Sequence, residues 1–104
     1  MAIVTNPTVQ NGALLTAQGQ KTFFNITAAT LVKASSGRVA KVSVIVAGSV
    51  AGSVNDAATI VGASTANEIA VIPATVSVYN IDFPVSNGIV LTPGTGQTLA
   101  ISYI

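Results

Sequence analysis

Val, Ile and Thr recur along this chain in short alternating runs, and Gly, Pro, Asn and Ser interrupt them about every ten residues. Glu, Lys, Leu and Gln are scarce, and no window places apolar residues at the 3.6-residue spacing of an amphipathic helix. β-Branched side chains lose rotamer freedom in a helix and pack well on a pleated surface. The pattern therefore restricts the chain to an all-β architecture. Its 104 residues fit one domain.

Strands are expected at Lys21–Thr27, Thr30–Ala34, Val39–Ala47, Ala58–Val61, Glu68–Ile72, Thr75–Ile81, Gly88–Leu91 and Gln97–Ile104, and Ser49–Val54 reads as a short strand or a bulged loop. Val39–Ala47 alternates most clearly, with Ala40, Val42, Val44 and Val46 on one face. Val42, Val44, Val46, Val76, Val78, Leu99 and Ile101 are the expected core. Turns are expected at Ser35–Arg38, Asn55-Asp56, Phe83-Pro84 and Asn87-Gly88, with Asp82 capping the turn before Pro84. Pro93-Gly94-Thr95-Gly96 reads as a hairpin loop. About eight short strands at this spacing suit a single-domain antiparallel β-sandwich or jelly roll over residues 21–104. No sustained repeat supports a β-helix. Residues 1–20 are polar and turn-rich (Asn6-Pro7, Asn11-Gly12) and read as an N-terminal arm, with room for one short strand at Ala13–Ala17.

Charge is the second constraint. Only seven side chains are charged: Lys21, Lys33, Arg38 and Lys41 against Asp56, Glu68 and Asp82, for a net charge of +1. Spread over a folded surface of roughly 5,300 Å², that is roughly one charge per 760 Å². Ordinary composition would give one per roughly 200 Å². Half the residues are hydrophobic and the mean hydropathy is +0.70. A lone small domain has too little core to hide so much apolar side chain. Burial between chains is the simplest remedy, so the chain is expected to form a homo-oligomer.

The stretch Ser43–Gly62, SVIVAGSVAGSVNDAATIVG, holds one ionisable group, Asp56. It is not a membrane span: its apolar run from Val42 to Val54 is short of the roughly 20 residues required and is broken by Ser and Gly. It reads as a long strand, a Gly/Ser corner and the next strand. Met1-Ala-Ile-Val-Thr-Asn-Pro has neither the basic region nor the apolar core of a signal peptide, so synthesis in a cytosol is expected.

The chain contains no Cys and no His. Thiol chemistry, disulfides and imidazole catalysis are excluded. A glycosidase pair would have to come from Asp56, Glu68 and Asp82, which share no motif. Neither S-x-x-K nor G-x-S-x-G occurs. Asn55-Asp56 and Asn80-x-Asp82 could hold calcium only if the fold brought them together. The backbone of Pro93–Gly96 could cradle an anion, but no P-loop lysine supports it. Lys33, Arg38 and Lys41 lack interleaved aromatics, so nucleic acid is not an expected partner. No catalytic, metal or cofactor-binding residue is assigned, and a non-enzymatic protein is expected.

The pattern VSVIVAGSVAGSVNDAATIVG, then NEIAVIPATVSVYNIDFPVSNGIVLTPGTGQTLAISYI, resembles small virion structural proteins of tailed bacteriophages. Its elements are an AGS-x-x-G corner, an "IP" strand end, a D-x-P turn and a closing GIV…PGxGQ…ISY, carried mainly by Arg38–Gly52 and Ile69–Tyr103. The resemblance implies an all-β protein, often trimeric, that decorates or cements a capsid or forms head or tail fibres. The expected partners are further copies of itself and the major capsid protein or another virion protein, at the capsid surface. A receptor- or glycan-binding fibre module is the alternative. The arm would supply apolar anchors at Ile3, Val4, Val9, Leu14 and Leu15.

Overall fold

The computed structural model describes residues 19–104. The arm anchors Ile3, Val4, Val9, Leu14 and Leu15 and the short strand at Ala13–Ala17 lie outside the described residues.

Eight strands follow one another: β1 (Lys21–Ile26), β2 (Thr30–Lys33), β3 (Gly37–Val46), β4 (Gly52–Asn55), β5 (Glu68–Ile72), β6 (Ser77–Val85), β7 (Ile89–Thr92) and β8 (Thr98–Tyr103). They form two four-stranded sheets, β1-β8-β3-β6 and β2-β7-β4-β5. Every pairing is antiparallel. The pairs are nested: β1 with β8, β2 with β7, β3 with β6 and β4 with β5. The chain is thus one long hairpin rolled up so that β3 meets β8 and β4 meets β7. That is the connectivity of a jelly roll, so of the two expected arrangements this is the one formed.

The two inner faces supply the core. Val42, Val44, Leu99 and Ile101 are buried as expected, together with Ile26, Val39, Val54, Ile72, Ile89 and Leu91. Val46, Val76 and Val78 are not core residues: each is about half exposed or more. In β6 both alternation sets are apolar. The register pairs Val42 with Tyr79 and Ser43 with Val78, which turns Tyr79 and Ile81 toward the core and Val78 outward, because a one-residue choice of parity flips a whole strand. In β3, Val44 pairs Leu99 and Val46 pairs Thr98, so Ile45 is an extra residue that ends the alternation before Val46.

Three other expectations change. Ala58–Val61 is not a strand but bends and a turn, held by local bonds from the Gly62 N–H to the Thr59 hydroxyl and from the Ala63 N–H to the Ile60 carbonyl. Phe83-Pro84 is not a turn: β6 continues to Val85. Proline is tolerated there because β6 is the outer strand of its sheet. Asp82 does not cap a turn. It takes φ +51° in a bulge where Ile81 and Asp82 together oppose Ala40, and its carbonyl accepts a 3.0 Å hydrogen bond from the Arg38 guanidinium.

Candidate functional site

The nested topology sorts the connections to two ends of the sandwich. One end gathers the β2–β3, β4–β5 and β6–β7 connections with the C-terminus; the other gathers β1–β2, β3–β4, β5–β6 and β7–β8. Lys21 starts β1, Lys33 ends β2, Arg38 starts β3, Asp56 follows β4 and Glu68 starts β5, all at the first end. Asp82 lies beside Arg38, and Lys41 lies opposite Ser102 and Asn80. The second end has no charge in any of its four connections, residues 27–29, 47–51, 73–76 and 93–97. Its exposed side chains include Val46, Val50 and Val76, with Phe24, Ile45 and Val78 on the strands leading to it. Charges that look dispersed in sequence are therefore segregated in space.

The charged end is held by two polar clusters. The Asp56 carboxylate accepts N–H groups from Ser86 (2.9 Å), Asn87 (2.8 Å) and Gly88 (3.3 Å), tying the end of β4 to the β6–β7 turn. The Ser86 N–H is the strongest influence holding this carboxyl below its ordinary value; partial burial opposes it, and the Asn87 and Gly88 donors reinforce it. The Asn55 amide donates to the Ser64 carbonyl (2.7 Å) and to the Asn67 side-chain oxygen (3.0 Å). Asn67 in turn donates to the Gly62 carbonyl (2.8 Å). These bonds lay the loop from Asp56 to Asn67 against the outer side of β4 and present Val61 at its tip, almost fully exposed.

The charge-free end is held by Gln97, which is 1% exposed. Its amide donates to the Pro73 carbonyl (2.8 Å), and its oxygen accepts the Gly94 N–H (2.9 Å). Backbone bonds complete the closure: Gly48 N–H to Ala74 (3.0 Å) and Ser49 N–H to Thr95 (2.9 Å). A side chain at Gly52 would put its first carbon 2.6 Å from the Thr92 carbonyl oxygen and 2.8 Å from the Gln97 oxygen. The repeated AGSV stretch is thus a corner whose small residues let three connections pack together. Because Gly94 N–H serves Gln97, it is not free to cradle an anion.

Asp56, Glu68 and Asp82 do not gather into one acidic cluster among the described residues. The Asp56 oxygens are taken by three backbone donors, and Glu68 and Asp82 stand on different sheets. Asn55 is committed to its loop, so it does not join Asn80 and Asp82 around a cation. No cluster of three acidic, His or Cys side chains is present among the described residues. Nor is any helix there long and apolar enough to cross a membrane.

The outer face of β1-β8-β3-β6 carries a shallow groove of about 220 Å³ lined by Thr22, Lys41, Ser43, Val78, Ala100 and Ser102. No family model, curated protein or solved structure matches this chain.

Proposed function

We propose that this protein is a non-enzymatic structural component of a bacteriophage particle, a decoration or cement protein that acts as a homo-oligomer and fastens to the assembled shell through its charge-free end. The observation that carries the reading is the segregation of charge. A surface without ionised groups can be desolvated without stranding a charge, and its exposed valines then add apolar burial. The opposite end keeps the water-facing groups. Jelly rolls are common in viral shells, which is support by fold analogy only. No aromatic side chain lines the groove, so it lacks the stacking face a sugar site commonly uses and does not favour the fibre-module alternative.

The test uses two single charges of the same kind. Val76 and Val61 are both exposed, at opposite ends. Val76→Asp should weaken co-sedimentation with shells of the cognate phage at least about thirtyfold, because an unpaired buried carboxylate costs several kcal/mol (about 2–5). Val61→Asp should bind as the parent does. Light scattering on the same samples should show an oligomer. A parent protein that stays monomeric and sediments with no shell overturns the reading, as does binding lost only in Val61→Asp.

A further inference from the structure

We infer that two copies of this chain pack face to face through the outer side of β1-β8-β3-β6, each seating its Phe24 ring in the other's groove. This contact rests on the homo-oligomer reading above.

The sheet edges argue for a face. The sandwich has four edge strands, β1, β6, β2 and β5, and each carries an extra residue against its inner neighbour. Phe24 and Asn25 together oppose Ala100 of β8, and Ile81 and Asp82 together oppose Ala40 of β3. Val32 has no counterpart between Val90 and Ile89 of β7, and Ile69 has none between Val54 and Asn55 of β4. Asn25 (φ +57°) and Asp82 (φ +51°) are the non-glycine residues with left-handed backbone among the described residues, and both sit in these bulges. A bulge bends its strand and leaves one residue out of the ladder, so a bulged edge is a poor template for a further strand. Edge-to-edge pairing of copies is therefore disfavoured at all four edges.

The two faces differ. On the outer side of β2-β7-β4-β5, Asn55 and Val90 are buried, and Asn55 is bonded into the Asp56–Asn67 loop. The outer side of β1-β8-β3-β6 instead presents Phe24, which is 71% exposed. Phe23 pairs with the buried Ile101 and Thr22 lines the groove, so alternation puts Phe24 on the groove's side of β1.

Size and charge make this face complementary to itself. A cavity of about 150 Å³ admits benzene, so a groove of about 220 Å³ admits a phenylalanine ring. Its floor of Ser43, Ala100 and Ser102 is small, and its one charged lining residue is Lys41. Phe24 of a second copy gives that ammonium the face of an aromatic ring, a favourable contact for a cation. Phe24 and the groove lie on the same face, one to two strand spacings apart, or about 5–10 Å. A two-fold axis between them, in the plane of contact, seats both rings at once. A cyclic trimer would need ring and groove on surfaces inclined to each other. The contact therefore gives an even number of copies and not the trimer that the phage resemblance implies.

Sedimentation equilibrium on the full chain measures the contact. Phe24→Ser removes the ring, and Ala100→Phe or Ser43→Leu fills the groove. Each should raise the dissociation constant at least about thirtyfold and leave the β circular dichroism unchanged. Val71→Ser, at an exposed position on the opposite sheet, should associate as the parent does. Mixing Phe24→Ser with a groove-filled variant restores one ring in one open groove. That mixture should recover about half of the lost free energy and associate at least about fivefold more tightly than either variant alone. A parent that stays monomeric overturns this contact and the homo-oligomer reading together. A parent oligomer that Phe24→Ser and the groove-filled variants leave intact, a mixture no tighter than its components, or an odd number of copies overturns the contact alone.

Discussion

Replacing Gln97 with Leu keeps its volume and removes both of its hydrogen bonds. The Gly94 N–H is then buried without a partner, which costs about 1–3 kcal/mol. The Pro73 carbonyl, only partly buried, adds about 1 kcal/mol. Apolar transfer of the leucine returns about 1 kcal/mol. The net loss is about 1–3 kcal/mol, which for a domain of this size lowers the melting temperature by roughly 4–24 °C. Gln97→Glu separates hydrogen bonding from packing. Its ionised carboxylate accepts from Gly94 but faces the Pro73 carbonyl, whereas the protonated acid can donate to it. Burial raises such a carboxyl's pKa, so the Glu variant should be least stable at neutral pH and recover toward the parent in acid. Calorimetry at pH 7 and pH 4 checks both variants. A Gln97→Leu melting temperature within about 2 °C of the parent would show that the charge-free end is not closed by this side chain.

Other outcomes follow from the described geometry. Val44→Ala, in the core, should cost about 1–3 kcal/mol in denaturant unfolding, whereas Val78→Ala, on the outer face, should cost under about 0.5 kcal/mol; equal losses would reverse the β6 assignment. Asp56→Asn should loosen the β6–β7 turn by about 1–2 kcal/mol. Because the folded-state carboxyl lies below its ordinary value, its contribution is full above the unfolded-state pKa near 4 and is lost as pH falls through the folded-state value. The parent-to-variant gap in melting temperature should therefore close in strong acid. Deleting residues 2–12 should leave the β circular dichroism intact and weaken oligomer or shell attachment, read by light scattering and co-sedimentation; loss of the β signal would place those residues in the core.

Local chemistry made much of the fold legible. Alternation in Val39–Ala47 placed β3 and the inward Val42 and Val44, and Leu99 and Ile101 fixed β8 in the same way, because one set of alternate positions was clearly more apolar. Where both sets were apolar, as in Val76–Ile81, alternation gave no parity, and only pairing with β3 turned Tyr79 and Ile81 inward. A proline and an aspartate suggested a turn at Asp82–Pro84; the tertiary fold made them a bulge and an edge, because only there could the missing N–H and the left-handed residue be tolerated. The shortage of charge was visible in the composition. Its segregation was not, since Lys21, Lys33, Arg38, Asp56 and Glu68 meet at one end only after the rolled hairpin brings strand starts and strand ends together. Gln97 likewise looked like an ordinary polar residue after a glycine turn, and its role exists only because Pro73 and Gly94, distant or adjacent along the chain, converge on one buried amide. By itself the sequence determined the class of fold, most of the strand-rich segments and the absence of Cys and His side chains. The tertiary structure decided which faces are buried and where the uncharged surface lies, because both depend on contacts between residues far apart in the chain.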